Sequence, residues 1–222
     1  MPKMMKTTRA SLRSPRAAAV AGIAFSLILG TALVLVRIAV PSDPNDAGAW
    51  LEDGWRNTAV TVALYLVPFA GIAFLWFIGV VRDRIGAAED RLFATVFLGT
   101  GLLFVAMLFV AGAVSGALLE VAKQQDPGAS EDVWSFGRHA TFLLLTVYAM
   151  RMAGMFTIVT TTIAMRLGIF PRWLAAFGFI VAVVLLLTVE SSPWAVMLFP
   201  LWVLVLSVHF LLRPSVDQPQ GL

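Results

Sequence analysis

A single arginine lies deep inside an apolar stretch, and its side chain is the one most in need of a chemical explanation. Arg151 is the only charged residue in the segment 140–165 and lies fifteen residues before Arg166. In a helix this separation corresponds to about 22 Å. A guanidinium at such a depth in hydrocarbon costs from about 2.5 to well over 10 kcal/mol, so it should face protein or water and have a partner. Recognition of an anionic group is the chemistry that it suggests.

Two other charged residues are expected at a similar depth. Glu190 directly follows the fifth apolar segment, about 27 Å along a helix from Arg172, and is the partner that we expect for Arg151. Arg37 is expected nearby, at the outer rim of the first segment. Glu120 would lie more than about 40 Å along its own helix and is a poorer candidate. The alternatives are a purely structural ion pair between Arg151 and Glu190, or an arginine that reaches lipid phosphates.

Several residues around the arginine share one helical face. Tyr148, Arg151, Gly154, Met155 and Thr162 follow each other at spacings that place them on the same side of a helix. This face is predicted to line an outward-opening cavity. The predicted ligand-binding residues are Arg151, Glu190, Tyr148, Arg37, Met155 and Thr162.

Motifs for metal, haem or hydrolytic chemistry are missing from the sequence. The chain has no cysteine, and its two histidines, His139 and His209, fall near opposite ends of their segments. Haem ligation by two histidines requires both rings at one depth. His-Glu-x-x-His, Gly-x-Ser-x-Gly and Walker patterns do not occur. We therefore expect no cofactor, no metal ion and no catalytic residue.

The elements that must position these residues are membrane helices. Of the 222 residues, 59% are hydrophobic and 13% are charged, against about 45–50% and ~25% in a soluble domain. This composition excludes a water-soluble fold, a disordered chain and a nucleic-acid-binding domain. The prediction is an all-α, polytopic bundle of six transmembrane helices between a basic leader, 1–16, and a disordered tail, 213–222. The predicted spans are 17–40, 59–81, 92–117, 140–165, 173–189 and 194–212.

Charge asymmetry predicts the orientation of these spans. The net charge is +3, and five of the 16 Lys and Arg residues fall within the first sixteen positions. With the N-terminus inside, eleven basic residues lie on the inner side and four on the outer side, which also carries nine acids. The positive-inside rule then places both termini in the cytoplasm. The first apolar run is longer than the core of a signal peptide, so we expect it to be retained.

Small residues recur at helical spacing in two of the spans. Gly112-x-x-x-Gly116 lies in the third span, and Gly22-x-x-x-Ser26-x-x-x-Gly30 lies in the first. Such patterns allow two membrane helices to approach closely. We expect contacts inside this bundle; a homodimer interface is the alternative.

The turn between the fourth and fifth spans carries a recognisable pattern. It reads Arg166-Leu167-Gly168-Ile169-Phe170-Pro171-Arg172-Trp173-Leu174. This resembles a family of bacterial six-helix integral membrane proteins, defined as a domain of unknown function. The resemblance implies a bacterial inner membrane location and no particular activity. The motif itself favours a topological role, because glycine ends a helix, proline starts one and tryptophan anchors at the interface.

Three functions are compatible with these observations. The leading interpretation is non-enzymatic: binding or transport of a small amphiphilic or anionic molecule in an outward-facing cavity near Arg151. The second is an accessory or scaffold subunit that docks another membrane protein, and the third is a lipid-modifying enzyme. The predicted partners are the lipid bilayer, such a ligand, and a second copy or another membrane protein, with no nucleic acid.

Overall fold

All regular structure in the described part of the chain is helical. The computed structural model describes residues 15–40, 53–85, 91–123, 131–187 and 194–212. A π-helical segment, Leu143–Ala149, joins the fourth and fifth helices into one continuous helix, and a 3₁₀ turn, Ala195–Met197, precedes the last helix. The α-helices are α1 Pro15–Ala39, α2 Gly54–Ile85, α3 Arg91–Lys123, α4 Glu131–Phe142, α5 Met150–Arg166, α6 Arg172–Leu187 and α7 Leu198–Leu212.

The predicted all-α membrane bundle is confirmed. Five helical segments are long and apolar enough to cross a membrane, which makes the chain an integral membrane protein. The fifth predicted span, 173–189, corresponds to α6. Its 16 described residues cover about 24 Å, less than the ~30 Å of a hydrocarbon core. In contrast α2 and α3, with 32 and 33 residues, are about 48–50 Å long and extend past the hydrocarbon.

The helices pack in a closed ring. α1 packs against α2, α2 against α3, and α3 against the π-helical segment and α5. α5 then packs against α6, α6 contacts α7, and α7 returns to α1. Each helix is thus held by two neighbours, and its remaining surface faces either the centre of the ring or the lipid.

Aromatic side chains fill the centre of this ring. Five helices contribute one or more fully buried rings. Phe74 of α2 contacts rings from α1, α3, α5 and α7 at centroid distances of 4.6–5.6 Å. The central cluster consists of Phe25, Phe74, Phe77, Phe97, Phe104, Phe156, Phe199 and Trp202. Tilted and edge-to-face contacts of this kind are favourable beyond the area that they bury, so the axis of the bundle is filled by hydrocarbon.

Contacts at the two ends of the bundle show that α3 and α5 run in opposite directions, and that α1 and α7 do so as well. At the basic end, which carries exposed Arg82, Arg166 and Arg172, the Arg166 guanidinium lies 4.7 Å from the centre of the Phe93 ring. At the opposite end, here called the distal end, α1 finishes and α2 begins. There the Arg37 guanidinium lies 5.9 Å from the Trp194 ring, a contact in the range of cation–π interactions.

The turn at the basic end follows from its sequence. Gly168 has φ +68°, the left-handed conformation in which glycine is favoured. The Gly168 N–H donates to the Met165 carbonyl, and the Ile169 N–H donates to the Ala164 carbonyl. These two bonds form a Schellman motif, which satisfies the last carbonyls of α5. Pro171 directly precedes α6, so the predicted helix stop and start are both present.

Replacing Gly168 by alanine is expected to destabilise the fold by about 1–2 kcal/mol, because the left-handed conformation places Cβ against the following carbonyl. The free energy of unfolding in mixed micelles measures this loss. Gly99→Ala in α3 is the control, because no atom lies within 4 Å of the added methyl group. That change should be neutral or stabilising by up to about 1 kcal/mol. Equal effects of the two substitutions would contradict the assigned role of Gly168.

Candidate functional site

Arg151 lies on the outside of the bundle, on the second residue of α5. Its side chain is exposed, and Tyr148, one turn earlier, is 57% exposed. Met155 and Thr162, lower on the same predicted face, are half-buried. The opposite face of α5 carries Phe156, which belongs to the central cluster. The structure thus keeps these four residues on the outward side of their helix.

The π-helical segment directly precedes Arg151. Its hydrogen bonds span five residues, so each residue turns the chain by less than in an α-helix. Tyr148 lies in this segment, and its direction relative to Arg151 therefore differs from that in a uniform α-helix. The Thr146 hydroxyl donates to the Phe142 carbonyl at the start of the segment. Single π-helical turns of this kind are frequent at functional sites.

Of the two charged residues predicted beside Arg151, the structure describes only Arg37. Glu190 lies outside the described residues, so its pairing with Arg151 stays a prediction. Arg37 is half-buried at the end of α1, with its guanidinium over the ring of Trp194. α1 packs mainly against α2 and α7, whereas α5 packs mainly against α3 and α6. The structure thus places the Arg37 guanidinium beside Trp194, which precedes α7.

A groove of about 520 Å³ lies between α2 and α3. It is not enclosed, because residues on both of its walls are exposed at the bundle surface, including Tyr65 at 72%. It occupies the distal half of the bundle, from the middle of both helices towards the end where α2 begins. Its lining consists of Thr61, Leu64, Tyr65, Val67, Pro68, Phe109, Gly112, Ala113, Gly116, Leu119 and Glu120.

The groove exists because of a proline on one wall and small residues on the other. Pro68 lies inside α2, where it removes the N–H that would donate to the Leu64 carbonyl and tends to kink the helix. Opposite it, α3 presents Gly112, Ala113 and Gly116. Small side chains leave space where larger ones would fill the gap between the helices.

Contacts at the inner end of the groove fix its depth. A Cβ on Gly71 of α2 would overlap the Phe109 ring of α3, so this ring packs directly against the backbone of α2. One turn higher, Val67 Cγ1 lies 3.3 Å from the Cβ position of Gly112. In contrast, nothing lies within 4 Å of the Cβ position of Gly116. The two helices therefore touch below the groove, and the space beside Gly116 is open.

Polar groups of the groove lie on its distal part. Glu120, three residues before the end of α3, is exposed and is the only charged residue of the lining. Thr61 of α2 donates its hydroxyl proton to the Asn57 carbonyl at 2.9 Å. Tyr65, one turn further along α2, adds a phenol ring. The site thus combines long apolar walls with one carboxylate at one end.

Buried polar atoms also occur where α5, α6 and α7 meet. Thr157 and Thr160 donate to the carbonyls four residues earlier, as threonines in membrane helices commonly do. Thr161 Oγ1 and Trp202 Nε1 are buried without a hydrogen-bond partner, and both lie beside Gly178. Among the described residues, no group of three or more His, Cys, Asp or Glu could hold a metal ion.

No protein-family model, no curated protein and no solved structure matches the chain. The resemblance to the bacterial six-helix family therefore stays a prediction.

The groove could not be assigned from the sequence. Its signals were present as Gly112-x-x-x-Gly116 and as a proline inside the second span, Pro68. The sequence does not show that α2 and α3 are neighbours, or that Pro68 lies across the groove from these glycines. Glu120 was set aside because it lies too far from Arg151, yet it is the charged residue of the groove.

Proposed function

We propose that this protein binds an amphiphilic molecule from the surrounding membrane in the groove between α2 and α3. The observation that carries this proposal is the open groove of about 520 Å³ with apolar walls and one polar end. Ligand sites in proteins commonly have this volume range and this combination of apolar lining with few polar groups. An apolar groove at membrane depth is suited to a hydrocarbon chain.

The filled axis of the bundle favours binding over passage. Rings of Phe74, Phe104 and Phe199 meet at centroid distances of 4.8–5.6 Å and fill the centre with apolar side chains. A ligand in the groove would enter sideways from the lipid. In the proposed orientation, with both termini in the cytoplasm of a bacterium, the distal end faces outward, and the ligand comes from the outer leaflet.

Arg151 has a separate role in this proposal. It does not line the groove. Measured from Arg166, it lies about 22 Å along a hydrocarbon layer of ~30 Å. A long arginine side chain can reach the nearer surface from that depth. Its exposure beside Tyr148 supports the interpretation in which it contacts lipid phosphates on the distal side.

Photolabelling tests the groove with Gly116→Leu. The probe is 1-lauroylglycerol with a diazirine in its chain, added to the protein in phosphatidylcholine nanodiscs. In the wild-type protein, label should concentrate on residues 61–68 and 109–120, which line the groove. The leucine side chain would occupy space that is open beside Gly116. We expect at least a five-fold loss of label from these two segments.

Gly99→Leu is the matched control, because it lies on the same helix, also has no atom within 4 Å of the Cβ position, and is not part of the groove lining. It should leave the labelling pattern unchanged. Label spread evenly over the lipid-facing helices, or unaffected by Gly116→Leu, would contradict the proposal. Native mass spectrometry covers the scaffold alternative: a dimer that dissociates in Gly116→Leu would assign the groove to a second copy of the chain and overturn ligand binding.

A further inference from the structure

We infer that the groove lifts its ligand partly out of the membrane, an inference that rests on the proposed function and adds the position of the bound amphiphile. The inner part of the groove lies within the hydrocarbon of the surrounding bilayer, and its distal part lies above it. A chain held along the groove is therefore raised relative to neighbouring lipids, and its polar head stands clear of their head groups on the distal side.

Aromatic rings of α2, α3 and α5 define a common level in the bundle. The Phe74 ring lies 5.2 Å from both the Phe104 and the Phe156 rings. Towards the basic end, exposed Arg82 is about 12 Å along the helix from Phe74, and exposed Arg166 is about 15 Å from Phe156. Exposed arginines belong at the membrane surface. The aromatic level therefore lies near the middle of a hydrocarbon layer of ~30 Å.

The groove begins inside this layer and ends outside it. Phe109, at its inner end, is about 8 Å from Phe104 on the distal side. Gly116 is about 18 Å from Phe104, and Thr61 on the opposite wall is about 20 Å from Phe74. The hydrocarbon ends about 15 Å from its middle, and the head groups end at about 20–22 Å. The distal part of the groove is therefore level with the head groups.

Apolar walls continue through this distal part. Gly116 and Leu119 line it on α3, and Leu64 of α2 packs against the buried cluster that contains Leu119. Leu119 is about 22 Å from the aromatic level. An open apolar cleft at this height would contact water and head groups unless another apolar group filled it. A hydrocarbon chain raised from the bilayer supplies that group.

A contact at the inner end sets how far the chain is raised. The Phe109 ring packs against the backbone of α2 at Gly71 and closes the space between the two helices below the groove. A lipid chain in a leaflet reaches the middle of the hydrocarbon, whereas a chain in the groove stops about 8 Å short of it. The polar end is raised by the same distance. The helix from Phe109 to Leu119, about 15 Å long, suits an extended lauroyl chain.

Two positional isomers of the photoprobe test where the chain is held. Both are 1-lauroylglycerol in phosphatidylcholine nanodiscs, with the diazirine beside the ester in one and beside the terminal methyl group in the other. The ester-side probe should label residues 116–120, and the methyl-side probe should label residues 109–113, each with about a five-fold preference for its own segment. Gly116→Leu should abolish both patterns, and Gly99→Leu should keep them.

These outcomes separate the two proposals. If neither isomer labels the groove, the proposed function is wrong. If both isomers label the groove with the same pattern, or if the ester-side probe labels residues 109–113, the raised position is overturned while binding in the groove stands.

Spin labels measure the height of the groove without any ligand. The chain has no cysteine, so Val62→Cys and Ile72→Cys each carry a single nitroxide. Both side chains are exposed on α2 outside the groove lining, about 18 and 3 Å from Phe74. In phosphatidylcholine nanodiscs, the ratio of collisions with a water-soluble nickel chelate to collisions with oxygen should be about five-fold higher at position 62, because water is excluded from the hydrocarbon. Equal ratios typical of hydrocarbon at both positions would overturn the raised position.

Discussion

Phe74→Ala is expected to lower the free energy of unfolding by about 3–5 kcal/mol, the range measured when large aromatic side chains are removed from packed cores. Phe74 is fully buried and contacts five other rings, which belong to α1, α2, α3, α5 and α7. Its removal leaves a cavity that several helices border at once. Because each of these helices is held mainly by its neighbours in the ring, none can move inward without loosening another contact.

Phe69→Ala provides the comparison on the same helix. Phe69 is 60% exposed, so its loss should cost less than about 1 kcal/mol, as for most surface substitutions. Both variants are measured by denaturant titration from mixed micelles, followed by circular dichroism. Losses of similar size in the two proteins would show that the aromatic centre does not hold the ring together.

Gly22→Leu is the second change with a large expected effect, about 1–3 kcal/mol or more from overpacking. A Cβ at Gly22 would overlap Ser207 Oγ of α7 and lie 2.8 Å from the Phe77 ring of α2. Both neighbours are buried and cannot swing into lipid. The added side chain must therefore push α1 away from α7 and α2, which breaks the closure of the ring.

Gly30→Leu separates this steric effect from a general effect of leucine. Gly30 is on the same helix, eight residues further, and no atom lies within 4 Å of its Cβ position. This variant should be at least as stable as the wild-type protein, since leucine is a better helix former than glycine. Thermal unfolding of both variants in nanodiscs is the measurement. A stable Gly22→Leu protein would mean that α1 does not pack as closely as the structure indicates.

Local chemistry made some parts of the fold predictable from the sequence. The turn at the basic end is an example, because Gly168 and Pro171 act on their own backbone neighbours. The positions of the membrane spans follow from apolar runs of sufficient length. The close packing at Gly22 and Gly112 was also expected, and it is confirmed by their contacts with Ser207 and Val67.

The rotation and neighbours of each helix could not be predicted in the same way. In water, an apolar stripe shows which face of a helix is buried, but in lipid both faces are apolar and this signal is weak. Gly116 and Gly30 belong to the same small-residue patterns as Gly112 and Gly22, yet both face open space. The outward position of Arg151 depends on the rotation of α5 about its own axis. It also depends on the π-helical segment before α5, which no residue pattern predicted.

The aromatic centre has an electrical consequence. Ions and protons cross a bilayer only where water or polar groups replace hydrocarbon, and here the rings of five helices occupy the middle of the bundle. In the part of the bundle that the structure describes, these rings leave ions and protons no open path along the centre. If the side groove binds an amphiphile as proposed, loading and release within one leaflet would therefore preserve a voltage or proton gradient between the two compartments.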